Sequence, residues 1–401
     1  MTALPSRPPS PQETHDRRSR LADDLRGAGQ LAVDAVTGVA GIAEGLHRTI
    51  GGRGTGLSGL VYRGVRGVAR GVGSGLGAAL AALAPRLGDA PAGPQREAVL
   101  AALNGVLGDH LEASGNPLAI GMRLRRQGAP VALERAALLA GMPDARGTLL
   151  LMVHGLCMND LQWRRAGHDH RAHLAQALDA SALYLHYNTG RHISRNGAEL
   201  AHLLEQLLQA WPRALERLVI VGHSMGGLVA RSAVQQARLG GLKWPGHLSD
   251  LVFLGTPHHG AALERAGNWA EFVAGFSPHA LPFTGLARVR SAGIRDLRHG
   301  SLLDADWQAR AQNDPRDARA AVPLPEGVRC HAVAATKSPA ADEARPRGDG
   351  LVSVASALGR HADPAFDLGI PAQRRRVVPS LDHFDLLASR EVAAQLVRWL
   401  T

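Results

Sequence analysis

The sequence predicts an α/β fold built on a mostly parallel sheet flanked by helices, and three observations carry that prediction. From about residue 147 onward, short apolar runs alternate with stretches of 3.6-residue periodicity. The connections between them are short. The stretch "VIVGHSMGGLVARS", from Val219 to Ser232, passes from an apolar run through a serine between glycines directly into a helical pattern. Strands that alternate with helices run parallel, and a sheet covered on both faces is apolar along its whole length.

The elements follow in order. Residues 1–25 are Pro-rich and charged and read as a disordered tail. Residues 26–94 are rich in Gly, Ala and Arg and read as a helical or linker region. Within it Arg63, Arg66 and Arg70 share one helical face, and Gly67, Gly71 and Gly75 recur every fourth residue. Two readings of residues 31–87 stay open. One is peripheral contact with a membrane or lipid surface, with Arg toward anionic headgroups. The other is a Gly-rich linker or helical hairpin, favoured by the cost of Gly in a helix. Residues 95–401 read as the folded domain. It begins with a helix and a hairpin in "AIGMRLRRQGAPVAL". Then come a strand, "TLLLMVHG"; a helix over Trp163 to Leu178; a strand, "ALYLHY"; a helix, "AELAHLLEQLLQAW"; and a strand, "RLVIVGHS". A helix, "GLVARSAVQQAR", and a strand, "DLVFLGTP", follow. Residues 261–326 break the rhythm and read as a cap or lid insertion. "VRCHAVAAT", "RRVVPSLDHF" and "REVAAQLVRWL" restore it as strand, strand and helix.

The net charge is +10, and the only lysines are Lys243 and Lys337, so the basic character is arginine, the bias of a GC-rich genome. No arginine run interleaved with aromatics, no zinc-ligand spacing and no recognition-helix pattern accompanies it, so no nucleic-acid partner is expected. The two cysteines, Cys157 and Cys330, make no disulfide framework and fit a reducing compartment. The N-terminus lacks the apolar core of a secretory signal, and no run reaches the roughly 18 apolar residues of a membrane span. A cytoplasmic location is expected, with membrane association left open.

Gly222-His223-Ser224-Met225-Gly226 has the G-x-S-x-G form of a nucleophile elbow. A nucleophile at a sharp strand-to-helix turn needs small residues two positions to either side. The helix that starts there places backbone N–H groups at the reacting carbonyl. A serine hydroxyl also needs a base and an orienting acid. Among 19 histidines, His383 in "SLDHFDLL" sits between the last strand and the last helix, at the sheet's carboxyl edge. His154 and His223 flank the centre in motifs of their own, while His258 and His259 suit a structural or pocket-lining role. Asp349 in "RGDGLVSVASALG" is the candidate acid, with Asp342, Asp363 and Asp382 as rivals. Asp382 adjoins His383 in sequence, a poor geometry for reaching the far ring nitrogen, and Asp363 is the strongest rival. The oxyanion donors are assigned to the backbone N–H of Met225 and of Leu156, in the loop after "LLLMV".

"VHGL", "GHSMGG", "LGTPHHG", "GDGLVS" and "DHFD" together resemble the α/β-hydrolase superfamily, on its lipase and esterase side. Over Thr148 to Leu400 the chain is similar to bacterial triacylglycerol lipases and to deacylases related to GPI-inositol deacylase. The resemblance implies a Ser224, Asp349, His383 triad that cleaves carboxylic esters of lipid or hydrophobic substrates through an acyl-enzyme. The same triad serves acyltransferases, thioesterases and polyester depolymerases, and a lipid-surface-binding protein with a hydrolase scaffold is the reading from another class. No metal and no cofactor is required. Asp385 occupies the place of a calcium-ligating aspartate in several relatives, but the second aspartate of that site does not align. Trp269, Phe272, Phe276 and Phe283 of the insertion read either as an acyl-chain wall or as packing of a small helical cap. Trp163 reads either as a pocket wall or as packing.

Overall fold

The computed structural model describes residues 23–24, 26–31, 93–261, 290–308, 319–339 and 348–401. Helix α1 (Pro94–Ala113) opens the domain, with proline in its first turn where the missing N–H costs nothing. Strands β1 (Arg123–Arg126) and β2 (Ala129–Pro130) form an antiparallel hairpin, and helix α2 (Arg135–Gly141) follows. Strand β3 (Thr148–Val153) leads to a small hairpin, β4 (Arg164–Arg165) and β5 (His168–Asp169), and to helix α3 (His170–Ala177). Next come β6 (Ala180–His186), α4 (Ile193–Ala210), β7 (Arg217–His223), α5 (Met225–Leu239) and β8 (Leu248–Leu254). Helices α6 (Ala292–His299) and α7 (Asp304–Gln308), strand β9 (Arg329–Thr336), helix α8 (Val354–Ala357), strand β10 (Arg375–Pro379) and helix α9 (Arg390–Leu400) complete the chain.

The strands form one eight-stranded sheet in the order β10-β9-β8-β7-β3-β6-β1-β2. Every neighbouring pair from β6 to β10 is parallel, and only the β1–β2 hairpin at one edge runs against its neighbours. Leu149 to Val153 and Val219 to Val221 are fully buried, as a sheet covered on both faces requires. Strand β7 therefore lies in the middle, between β3 and β8, and its carboxyl end is buried. Helix α4 packs against helix α5 and buries Leu200, Leu204 and Leu207, spaced three and four residues apart.

At the opposite end of the sheet, Asp250 of β8 is wholly buried among cations. Burial alone would raise its carboxyl. Hydrogen bonds with His331 (3.0 Å), Arg329 (2.8 Å) and Arg217 (2.8 Å) outweigh that and hold it well below the usual carboxylate range. This cluster ties the starts of β7, β8 and β9 together, away from the elbow.

Three expectations change. The helix expected from Trp163 begins only at His170. Ala166 and Gly167 take positive φ (46° and 75°), so the chain turns back as the β4–β5 hairpin before Asp169 caps α3 through the Ala172 N–H (3.2 Å). Helix α2 had no counterpart in the sequence reading. The boundary drawn at residue 25 has helical residues on both sides: 23–24 and 26–31 are helical, Asp24 pairs with Arg96 (2.6 Å), and the Gly27 carbonyl accepts from Asn116 Nδ2 (3.0 Å). Most of the Gly/Arg-rich region proposed for membrane contact lies outside the described residues, as do Trp269, Phe272, Phe276 and Phe283. The described parts of the insertion pack onto α1 and α4. Ser291 Oγ donates to the Gly105 carbonyl (2.7 Å), and Asp296 accepts from the Ile193 N–H (2.9 Å). Among the described residues, no helix is long and apolar enough to cross a membrane.

Candidate active site

The turn from β7 into α5 is strained at one residue. Ser224 has φ 53° and ψ −124°, a conformation that costs a non-glycine residue about 1–3 kcal/mol. Two backbone hydrogen bonds hold it there: Ser224 N–H donates to Leu254 of β8 (2.8 Å), and Gly227 N–H donates to the Ser224 carbonyl (3.1 Å). The flanking glycines are required by space. A Cβ on Gly222 would lie 2.6 Å from Gly227 Cα, and one on Gly226 would press into the Val153 and His154 carbonyls. Gly227 is equally confined, with Thr256 in the way.

Strand β3 ends beside this turn, and its loop crosses against the serine. A Cβ placed on Gly155 would be 3.0 Å from Ser224 Cβ. Tyr187, at the end of β6, fixes the loop by donating its hydroxyl hydrogen to the His154 carbonyl (2.7 Å), with its ring stacked on the His154 imidazole. Leu156 follows, fully buried. Met225 is the first residue of α5, so its N–H has no acceptor within the helix. Neither the Leu156 nor the Met225 N–H has a hydrogen-bond partner among the described residues.

The third part comes from two distant loops. Asp349, after β9, and His383, between β10 and α9, are each 1% exposed, and His383 Nδ1 lies 2.7 Å from Asp349 Oδ2. The other carboxylate oxygen accepts the N–H groups of Leu351 (2.9 Å) and Val352 (2.8 Å), which fixes its orientation. His383 Nε2 is buried and has no hydrogen-bond partner among the described residues. Of the rival acids, Asp342 lies outside the described residues, and Asp363 and Asp382 are engaged elsewhere. Asp363 is exposed and caps its own turn at Ala365 (2.9 Å). The Asp382 carboxylate accepts from the N–H groups of Phe384 and Asp385, and Asp385 accepts from Asp382 (3.0 Å). Among the described residues, no group of three or more His, Cys, Asp or Glu could hold a metal ion.

Two residues join these parts: His223, which the sequence places beside the centre without a role, and Gly255, which it left unassigned. His223 packs its ring 4.8 Å from that of His383, and its Nε2 lies 3.2 Å from the His383 carbonyl, so that nitrogen donates. Gly255, at φ 58°, leaves room for the His383 ring, which a Cβ there would approach to 3.1 Å. The glycine of "LGTP" was the visible signal. Trp163 proves fully buried, its ring 6.3 Å from that of His223 and steeply inclined to it.

His154, His170, His223 and His258 are buried and neutral. Burial pushes His154 down to about 3 and His170 to about 4, and holds His223 and His258 well below the ordinary value. Above about pH 6.5 neither the folded nor the unfolded chain protonates them. Below it the unfolded chain takes up protons that the folded chain refuses. Each group should therefore remove about 1.4 kcal/mol of stability per pH unit between roughly pH 6.5 and 4. Urea unfolding as a function of pH checks this, and a stability that stays flat across that window would exclude neutral buried rings.

Residues 144–323 match the family described as PGAP1-like alpha/beta domain. Among solved structures, the Bacillus licheniformis lipase BlEst2 in its mature form is 19% identical, with a TM-score of 0.40 over 63% of this chain and 91% of that one. Phospholipase PlaB from Legionella pneumophila is 16% identical, with a TM-score of 0.42 over 64% of this chain and 60% of that one. A lipase-esterase related protein from Clostridium acetobutylicum is 13% identical, with a TM-score of 0.35 over 64% and 95%. No curated protein matches the chain significantly. By strand order and elbow the protein has the α/β-hydrolase fold.

Proposed function

We propose that the protein is a serine hydrolase that cleaves carboxylic esters. One observation carries the reading: His383 gives one ring nitrogen to Asp349 (2.7 Å) and keeps the other unpartnered, on the residue that packs against the elbow of Ser224. In this mechanism His383 Nε2 takes the hydroxyl proton as Ser224 Oγ attacks the ester carbonyl carbon. The Leu156 and Met225 N–H groups stabilise the oxyanion, the largest single contribution in such sites. Collapse of the tetrahedral intermediate breaks the bond to the alcohol, which leaves with the proton from His383. A water that gives its proton to His383 then attacks the acyl-enzyme, and collapse returns that proton to Ser224 Oγ as the acid departs. Asp349 holds the imidazole with its proton on Nδ1 throughout. No metal or cofactor enters any step.

The proposed substrate is a hydrophobic or lipid ester. The side chains of Leu156, Met225 and Phe384, which adjoin the three groups, are apolar, and the sequence motifs resemble those of lipases. A fluorophosphonate probe tests the nucleophile directly. One adduct per chain, mapped by peptide mass to Ser224, is expected. Nitrophenyl esters of increasing chain length should then be hydrolysed faster toward the longer acyl groups. A probe bound at another residue, or no adduct, would remove Ser224 from the role.

A further inference from the structure

Helix α5 also carries a buried cation. Arg231 lies two turns beyond the elbow, about 10 Å from Ser224 along the axis, and is only 5% exposed. Its Nη2 donates to the Val322 carbonyl (2.6 Å), and its Nη1 lies 3.2 Å from Nδ1 of His258. A guanidinium can only donate, so His258 Nδ1 accepts, and the neutral ring carries its proton on Nε2. That His258 N–H and the Nε–H of Arg231 are both buried, and neither has a hydrogen-bond partner among the described residues. Burial lowers Arg231 to about 10, still a cation at neutral pH. No carboxylate pairs with it among the described residues. A guanidinium withdrawn from water without a counter-charge is an expensive arrangement, and here every acceptor it has is neutral.

Arg231 and His258 line a cavity of about 300 Å³ enclosed by α5, the turn after α6, residues 319–323 and residues 365–368. Arg319 lines it too. Its Nη1 donates to the carbonyls of His258 (3.0 Å) and Gly300 (3.4 Å), and its guanidinium stands 5.4 Å from the centre of the Phe366 ring. Among the described residues, Asp367 is the one carboxylate that lines the cavity. It is exposed, and its two oxygens already accept the N–H groups of Gly369 (2.8 Å) and His361 (3.2 Å). Arg231, without a carboxylate partner among the described residues, thus shares with Arg319 a cavity whose one described acid is committed to its own turn.

The geometry points to an oxyanion-binding site, in which Arg231 and Arg319 hold one phosphate or carboxylate group inside this cavity. The bound group supplies Arg231 with the counter-charge that no described residue gives it, and gives the buried donors an acceptor. Arginine suits it, because a guanidinium stays charged when buried and matches oxyanion geometry. The site is separate from Ser224 and does not depend on ester hydrolysis.

Titration calorimetry of the full chain with inorganic phosphate tests it, beside thermal unfolding in phosphate against chloride at equal ionic strength. Saturable binding is expected, with a melting temperature raised by phosphate. Arg319→Gln should weaken binding about tenfold or more, and Arg231→Gln should abolish it. If Arg231→Gln fails to fold for want of its tie to Val322, the half-buried Arg319 carries the test. Vesicles of phosphatidylcholine with phosphatidic acid then separate two sources of the same chemistry. Phosphate displaced by them, and not by pure phosphatidylcholine, assigns a lipid headgroup. Phosphate left undisturbed assigns a free anion. No heat with phosphate, or equal binding in wild type and Arg319→Gln, overturns the site.

Discussion

Ser224→Ala is expected to lower ester hydrolysis by about 10⁶-fold, leaving the fold intact. Alanine removes only Oγ, and the backbone bonds from Ser224 to Leu254 and Gly227 remain. Asp349→Asn tests a subtler point and should cost about 10⁴-fold in kcat with little change in KM. The Asp349 Oδ1 atom accepts two backbone N–H groups, from Leu351 and Val352. An asparagine must keep its carbonyl oxygen on that side, since an amide nitrogen there would face two donors. Its NH₂ then points at His383 Nδ1. That nitrogen can only accept, so the ring proton moves to Nε2, and the imidazole presents a donor where a base is needed. The geometry survives while the tautomer is wrong. Kinetics on a soluble nitrophenyl ester, with circular dichroism to confirm folding, would measure both variants. Retention of full activity by Ser224→Ala would end the serine-hydrolase reading. Full activity in Asp349→Asn alone would leave the nucleophile in place and move the orienting acid elsewhere.

The elbow was legible because its constraints are contiguous. Glycines at 222 and 226 are demanded by the close approach of strand, helix and loop around residue 224, so five adjacent residues carry the signal. The parallel sheet was legible for a similar reason, as each buried strand is a short apolar run in its own right. The acid was harder. Asp349 and His383 stand 34 residues apart, and the rival Asp363 has comparable surroundings in sequence. Only the folded chain shows Asp363 exposed on its own turn. The least legible feature was Arg231. In "GLVARSAVQQAR" it reads as the polar face of an amphipathic helix. It is buried because Val322, 91 residues away, brings a second layer over that face. The β4–β5 hairpin escaped for a local reason, since Ala166 takes a positive φ that only the neighbouring Gly167 announces.

Gly226→Ala should destabilise the protein by about 3 kcal/mol or more, a large share of the roughly 5–15 kcal/mol of a typical domain. Its added Cβ would meet the Val153 carbonyl at far less than contact distance and would lie 2.7 Å from the His154 carbonyl oxygen. Both are backbone atoms, at the end of β3 and the start of the loop that carries Leu156. Neither can rotate away as the tip of a side chain would. Relief requires α5 to withdraw from the sheet, or β3 to shift its last residue, and either movement separates the Met225 and Leu156 N–H groups. Stability and activity should therefore fall together, a coupling that Ser224→Ala lacks. Gly121→Ala is the matched control, because its Cβ meets nothing within 4 Å and its φ is not in the left-handed region. There the smaller entropy of the unfolded chain should leave stability unchanged or slightly raised. Urea unfolding of the two variants beside wild type makes the comparison. A Gly226→Ala protein as stable as Gly121→Ala would mean that the approach of helix to strand at the elbow is looser than the structure has it.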